Sequence, residues 1–101
     1  MKEKKWEQTL SSEDTLLIKF TQDKGKIIKF VVNYYSLINN RWRPIMRIDN
    51  CHGYPHVHKY YLHKKAFKIV LSTDPNKALP ESKQQIVENF HKIKENFLLY
   101  K

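Results

Sequence analysis

Apolar and polar residues alternate through most of the chain, and near its end the spacing lengthens to three and four. Leu16, Ile18 and Phe20 alternate with Thr15, Leu17 and Lys19, the period of a half-buried strand. Gln22-Asp23-Lys24-Gly25 then supplies a hairpin turn, with Gly25 able to adopt the positive φ that such turns require. Lys26 to Ile38 is the longest predicted strand. Ile28, Phe30, Val32, Tyr34 and Ile38 make one apolar face, while the odd positions are mixed, as in a central strand. Asn39-Asn40 marks a second turn, because asparagine tolerates the left-handed region.

Arg41 to Asp49 reads as a strand with two unlike faces: Trp42, Pro44, Met46 and Ile48 on one, Arg41, Arg43, Ile45, Arg47 and Asp49 on the other. Pro44 has no N–H to donate to a ladder, so it belongs at an edge or a bulge. Tyr54-Pro55 breaks the chain, and strand character resumes from Val57 to Leu62. His63-Lys64-Lys65 predicts a turn into a further strand through Phe67, Ile69 and Leu71. Thr73 to Asn76 ends that strand, and Pro80 suits the first turn of a helix, where a missing N–H costs nothing. From Glu81, residues Ile86, Val87, Phe90, Ile93, Phe97 and Leu98 form one apolar stripe, with Glu88 and Lys92 as an i,i+4 pair outside it. The expected architecture is α+β: an antiparallel meander of about five strands with one C-terminal amphipathic helix packed on it. At 101 residues the chain is expected to be a single domain, 1–101.

Charge adds the first functional hint. A formal net charge of +9 favours polyanions, chiefly nucleic acid or anionic lipid, over neutral ligands. The single cysteine, Cys51, cannot close an internal disulfide. The N-terminal residues carry no apolar run of signal-peptide type, and no stretch approaches the ~20 apolar residues needed to cross a bilayer. The expectation is a cytoplasmic protein without membrane contact.

The stretch from Arg47 to Tyr61 concentrates the reactive side chains: three of the chain's five histidines, a carboxylate, an arginine, the cysteine and a glycine. By alternation Arg43, Arg47 and Asp49 share a face, and His56, His58 and Tyr60 share one on the next strand. If the two strands pair around the Asn50–Pro55 loop the sets converge, with His52 reaching in from the loop; a slip of one residue would separate them. Such a cluster suits metal-free RNA cleavage. One histidine takes the 2′-hydroxyl proton, a second protonates the leaving oxygen, arginine steadies the charge on phosphorus and Asp49 orients an imidazole. His56 and His58 are the expected acid and base, with His52 in reserve, and no cofactor is required. Asp49, His52, His56 and His58 also form a donor set for zinc, manganese or iron, which keeps a metal-dependent enzyme as an alternative. Arg41, Arg43, Lys59, Lys64 and Lys65, interleaved with Trp42 and Tyr60, could hold phosphates while rings stack on bases. These features would equally serve a non-catalytic nucleic-acid-binding or protein-interaction module, such as a viral accessory protein. An edge strand near Pro44 or at the N-terminus offers a route to a homodimer.

Arg47-Ile48-Asp49-Asn50 followed by Pro55-His56-Val57-His58 resembles the signature of small prokaryotic toxins of the TumE-like type. It is also similar to a loose group of short prokaryotic proteins with Arg-x-Asp, His-Gly and His-x-His elements. The resemblance covers about Arg41 to Leu62, and the spacer between Asp49 and Pro55 is shorter than in those toxins. It implies an α+β toxin acting on RNA, an antitoxin protein as partner, and Arg47, Asp49, His56 and His58 as the motif positions. The leading expectation is therefore a small basic RNA-directed protein that works as a metal-independent endoribonuclease.

Overall fold

The computed structural model describes residues 1–50, 53, 55–60 and 71–100. Five antiparallel strands, β1 (Lys2–Ser11), β2 (Asp14–Asp23), β3 (Lys26–Ile38), β4 (Arg41–Asp49) and β5 (His56–Lys59), form one sheet in the order of the chain. Helix α1 (Pro75–Tyr100) follows and packs across β3 and β4. The fold is the α+β meander expected, and β2, β3 and β4 are the strands expected, but β1 is an addition. Strand β1 carries no apolar alternation, because the edge strand it forms is exposed over most of its length. The predicted strand through Phe67 and Ile69, and the turn at His63 to Lys65, lie outside the described residues. The strand expected to begin at Val57 begins at His56, and the described part ends at Lys59.

Two tight turns fix the register of the meander. Lys24 and Gly25 have φ of 53° and 80° between the paired residues Asp23 and Lys26. Asn39 and Asn40 have φ of 52° and 65° between the paired residues Ile38 and Arg41. Two consecutive left-handed residues match the right-handed twist of hairpin strands, so the glycine and the asparagines stand where the backbone demands them.

Two bulges then decide which side chains share a face. One at Ile28 lets Thr21 pair with Lys29 and Gln22 with Ile27. It turns Ile28 out to 39% exposure, away from the face shared by Phe30, Val32 and Tyr34. The other is at Ile45, where Tyr34 pairs with Met46 while Tyr35 pairs with Pro44. Ile45 and Met46 are consequently both buried, and the bulge expected from Pro44 is present beside it. Alternation read through Ile45 therefore fails. Arg43 lies opposite Ser36 and Arg41 opposite Ile38, on the helix side, whereas Arg47 and Asp49 lie opposite Asn33 and Val31, on the other side.

The core occupies the helix side. Leu16, Ile18 and Phe20 from β2, Phe30, Val32 and Tyr34 from β3, and Met46 and Ile48 from β4 meet Leu79, Ile86, Ile93 and Phe97 of α1. Each such side chain, fully buried, contributes roughly 1.5–3 kcal/mol. The helix starts earlier than predicted. Asp74 caps it: Oδ1 accepts from the Asn76 N–H at 3.0 Å, and the Asp74 carbonyl accepts from Ala78 N–H at 2.8 Å. Pro75 therefore occupies the first turn, the place the sequence suggests for Pro80, and Pro80 lies inside the helix. Asn76 Oδ1 accepts from Ile27 N–H at 2.9 Å and ties the helix start to β3. Val87 and Leu98 of the expected stripe are largely exposed.

One buried polar network sits in this core. Asp14 Oδ1 accepts from Tyr34 Oη at 2.6 Å and from Ser36 Oγ at 2.8 Å, while Oδ2 accepts from Ser11 Oγ at 2.6 Å. Burial by itself would raise the Asp14 carboxyl, but these three donors, aided by the Lys94 charge, hold it below the usual carboxylate range. Burial first, and then donation to a carboxylate, push the Tyr34 phenol well above its ordinary value. The network locks the start of β2 to the C-terminal part of β3.

Candidate catalytic site on the face away from the helix

The β4–β5 pairing sets Arg47 opposite His58 and Asp49 opposite His56, with Ile48 and Val57 between them on the core side. The four polar side chains therefore form a two-by-two block on the sheet face away from α1. Side chains two apart on a strand share a face, and directly paired residues share it across the ladder. Asp49 is the centre of the block and is 1% exposed. Its Oδ2 lies 2.8 Å from Arg47 Nε and 3.4 Å from His58 Nε2. The His56 and His58 rings stand 5.9 Å apart between centroids, tilted by 39°. Arg47 and His58 remain over a third exposed, so the buried carboxylate presents two reachable cationic or protonatable groups.

Asn50 secures the end of β4 directly after this carboxylate. Its Oδ1 accepts from Phe30 N–H at 2.9 Å and its Nδ2 donates to Ile28 O at 3.0 Å. One side chain thus reproduces the hydrogen bonding of a further ladder residue at the place where the Ile28 bulge disturbs β3. Beyond it, Gly53 donates its N–H to Asn50 O at 3.0 Å with φ of 90°, a conformation that a side chain would strain. The sequence places Asn50 at the start of the loop and offers no sign of its backbone partners, which lie twenty and twenty-two residues upstream.

Of the expected site residues, Arg47, Asp49, His56 and His58 are brought together. His52, Lys64 and Lys65 lie outside the described residues. Arg43 is not with Arg47 and Asp49, contrary to the expectation from alternation. The Ile45 bulge sends it to the helix side, where its Cζ sits 5.8 Å from the Phe97 ring centroid. Arg41 shares that side, and so does Lys59, which pairs with Met46. Tyr60 is exposed, and its N–H extends the β4–β5 ladder to Ile45 O at 3.1 Å. Three of the cations expected to contact nucleic acid thus stand on the opposite face from the histidines.

Residues not foreseen share the histidine face instead. Tyr35 and Leu37 of β3 lie beside Pro44 and Trp42 of β4 at one end. Lys19 and Lys29 lie at the other, around an open depression of about 190 Å³ next to Val31, the partner of Asp49. Among the described residues no group of three or more His, Cys, Asp or Glu side chains is placed to hold a metal ion. Among the same residues no helix is long and apolar enough to cross a membrane.

These features define a small α+β domain with a helix-covered apolar face and a second face that carries a histidine–carboxylate–arginine block. The chain belongs to the DUF7718 family, a domain of unknown function, which matches residues 1–100. No curated protein and no solved structure matches it.

Proposed function

We propose that this domain is an RNA-directed, metal-independent endoribonuclease whose centre is the Arg47–Asp49–His56–His58 block. The observation that carries the reading is the Asp49 carboxylate facing both Arg47 Nε and His58 Nε2 beside a second imidazole. A hydrogen on His58 Nε2 satisfies the carboxylate, which leaves the lone pair on Nδ1. That nitrogen takes the proton of a ribose 2′-hydroxyl, and Asp49 then stabilises the imidazolium. The 2′-oxygen bonds to phosphorus as the P–O5′ bond breaks. His56 supplies the proton to the departing O5′. The products are a 2′,3′-cyclic phosphate and a 5′-hydroxyl, and no other reactant is consumed. Arg47 gives Nε to Asp49 and keeps its terminal nitrogens for the phosphoryl oxygens, where negative charge grows. The net charge of +9 favours a polyanionic substrate. The resemblance to TumE-like toxins agrees with this activity and adds an antitoxin protein as a partner to seek.

The test is incubation of the pure protein with mixed RNA, with and without EDTA, and analysis of the product ends. Cleavage that survives EDTA and leaves cyclic phosphate is expected. His58→Ala and His56→Ala should each slow it by roughly 10²–10⁴-fold, the range of a lost general acid or base. Loss of cleavage to EDTA would replace this mechanism with a metal-dependent one. Full activity in both variants would remove the block from catalysis, and RNA binding without cleavage would leave a non-catalytic module.

A further inference from the structure

The face that carries the histidine block also carries two features of different chemistry, one on either side of it along the strands. At one end Trp42 is 51% exposed, and its paired residue Leu37 and the neighbouring pair Tyr35–Pro44 continue an apolar, ring-bearing surface beside it. At the other end Lys19 and Lys29 are both exposed and, with the carboxylate of Glu3, line the open depression beside Val31, so two cations outnumber one anion there. Positions on β3 set the scale. Leu37 stands beside Trp42, Asn33 beside Arg47, and Lys29 beyond them. Each step is four residues, or ~13 Å at the strand rise.

From this order we infer that the face binds single-stranded RNA along β3 and β4. A base stacks on Trp42 with Tyr35 beside it, the scissile phosphate lies at Arg47 and His58, and a neighbouring phosphate sits between Lys19 and Lys29. The inference rests on the RNA reading above and adds the path and form of the substrate. A single strand is required because Trp42 offers a flat ring, and bases locked in a duplex have no free face to give it. The full run of ~26 Å suits a short segment, at the lower end of the ~4–16 nucleotides that one single-strand-binding barrel holds. On β1, Glu3, Lys5 and Glu7 share this face, and Lys5 pairs directly with Lys19. On the helix side the two described rings near cations are already engaged, Phe97 by Arg43 at 5.8 Å and Trp6 by Lys83 at 5.5 Å.

The experiment is fluorescence anisotropy with a labelled, short 2′-O-methyl oligoribonucleotide of mixed sequence, which binds but cannot be cleaved. Trp42→Ala should weaken binding roughly five- to 150-fold, the range for loss of one base stack, with Trp42→Phe recovering much of it. Lys19→Ala with Lys29→Ala should weaken binding and flatten its dependence on salt. Arg41→Ala with Arg43→Ala, on the other face, should leave it within about twofold, and the same oligonucleotide annealed to its complement should bind more weakly. Unchanged binding in Trp42→Ala, or an equal loss in the Arg41/Arg43 variant, overturns the path. If natural RNA is still cleaved in that case, the catalytic reading stands without it. A wild-type protein that neither binds the oligonucleotide nor cleaves RNA overturns both.

Discussion

Replacing Asn50 by alanine tests whether one side chain anchors the strand end that carries the catalytic carboxylate. The substitution removes an acceptor from Phe30 N–H and a donor from Ile28 O. These two losses differ in weight. Phe30 is 1% exposed, so its N–H is left without water, and a buried orphan of this kind costs about 1–3 kcal/mol. Ile28 is 39% exposed and its carbonyl can turn to solvent, so the second loss is nearer the ~0.5–1.5 kcal/mol net value of an ordinary hydrogen bond. The sum is about 1.5–4.5 kcal/mol, or a fall in Tm of roughly 6–36 °C at ~4–8 °C per kcal/mol for a domain of this size. Urea denaturation followed by circular dichroism reads it directly, provided the m-value is unchanged. Asn50→Asp sharpens the test. It keeps the acceptor for Phe30 N–H but sets an oxygen against the Ile28 carbonyl. Its stability relative to Asn50→Ala, compared at equal pH, should therefore rise on acidification as the carboxyl regains a hydrogen to donate. A cost below about 0.5 kcal/mol for Asn50→Ala would refute the reasoning, since that is the scatter of ordinary surface substitutions.

Further outcomes follow from the buried network and the helix start. Tyr34 has a folded-state value above its unfolded one, so its contribution is complete below about pH 10 and is lost as pH rises beyond that. Tyr34→Phe should therefore be less stable at neutral pH yet lose less on going to alkaline pH, as urea midpoints across that range will show. Asp14 has the opposite sign: its folded-state value is depressed, so its contribution holds above pH 4 and is lost as pH falls through the folded value. Asp14→Asn should flatten the acid limb of the stability profile; an acid limb identical to wild type would contradict the assignment. Asp74→Ala should lower Tm by uncapping α1, with Asp74→Ser restoring most of it, because serine can also accept from the Asn76 N–H.

Much of the fold was legible because hairpin chemistry is local. Lys24-Gly25 and Asn39-Asn40 announce left-handed turns, and the alternation on either side supplies the register. Strand β1 was not legible, since an edge strand exposed on both faces has no apolar period to betray it. The helix start was misplaced because two prolines could each occupy a first turn, and Asp74 settles on Pro75. For the candidate site, Arg47, Asp49, His56 and His58 could be grouped because no bulge lies between them. Arg43 could not be assigned, because a bulge is invisible to a two-residue period. Nor could Tyr35, Lys19 and Lys29 be joined to the block, since their place depends on the pairing of three strands together.

The extra residue at Ile45 has an evolutionary consequence. The ladder keeps its phase on both sides of Ile45, with Pro44 still opposite Tyr35 and Met46 still opposite Tyr34. A single codon could therefore be gained or lost at this point without exchanging the two surfaces of the sheet. Family members with a β4 shorter by one residue should show a one-column gap at this position. Their equivalents of Trp42, Arg47 and Asp49 would then fall on one surface by unbroken alternation, and that of Arg43 on the other.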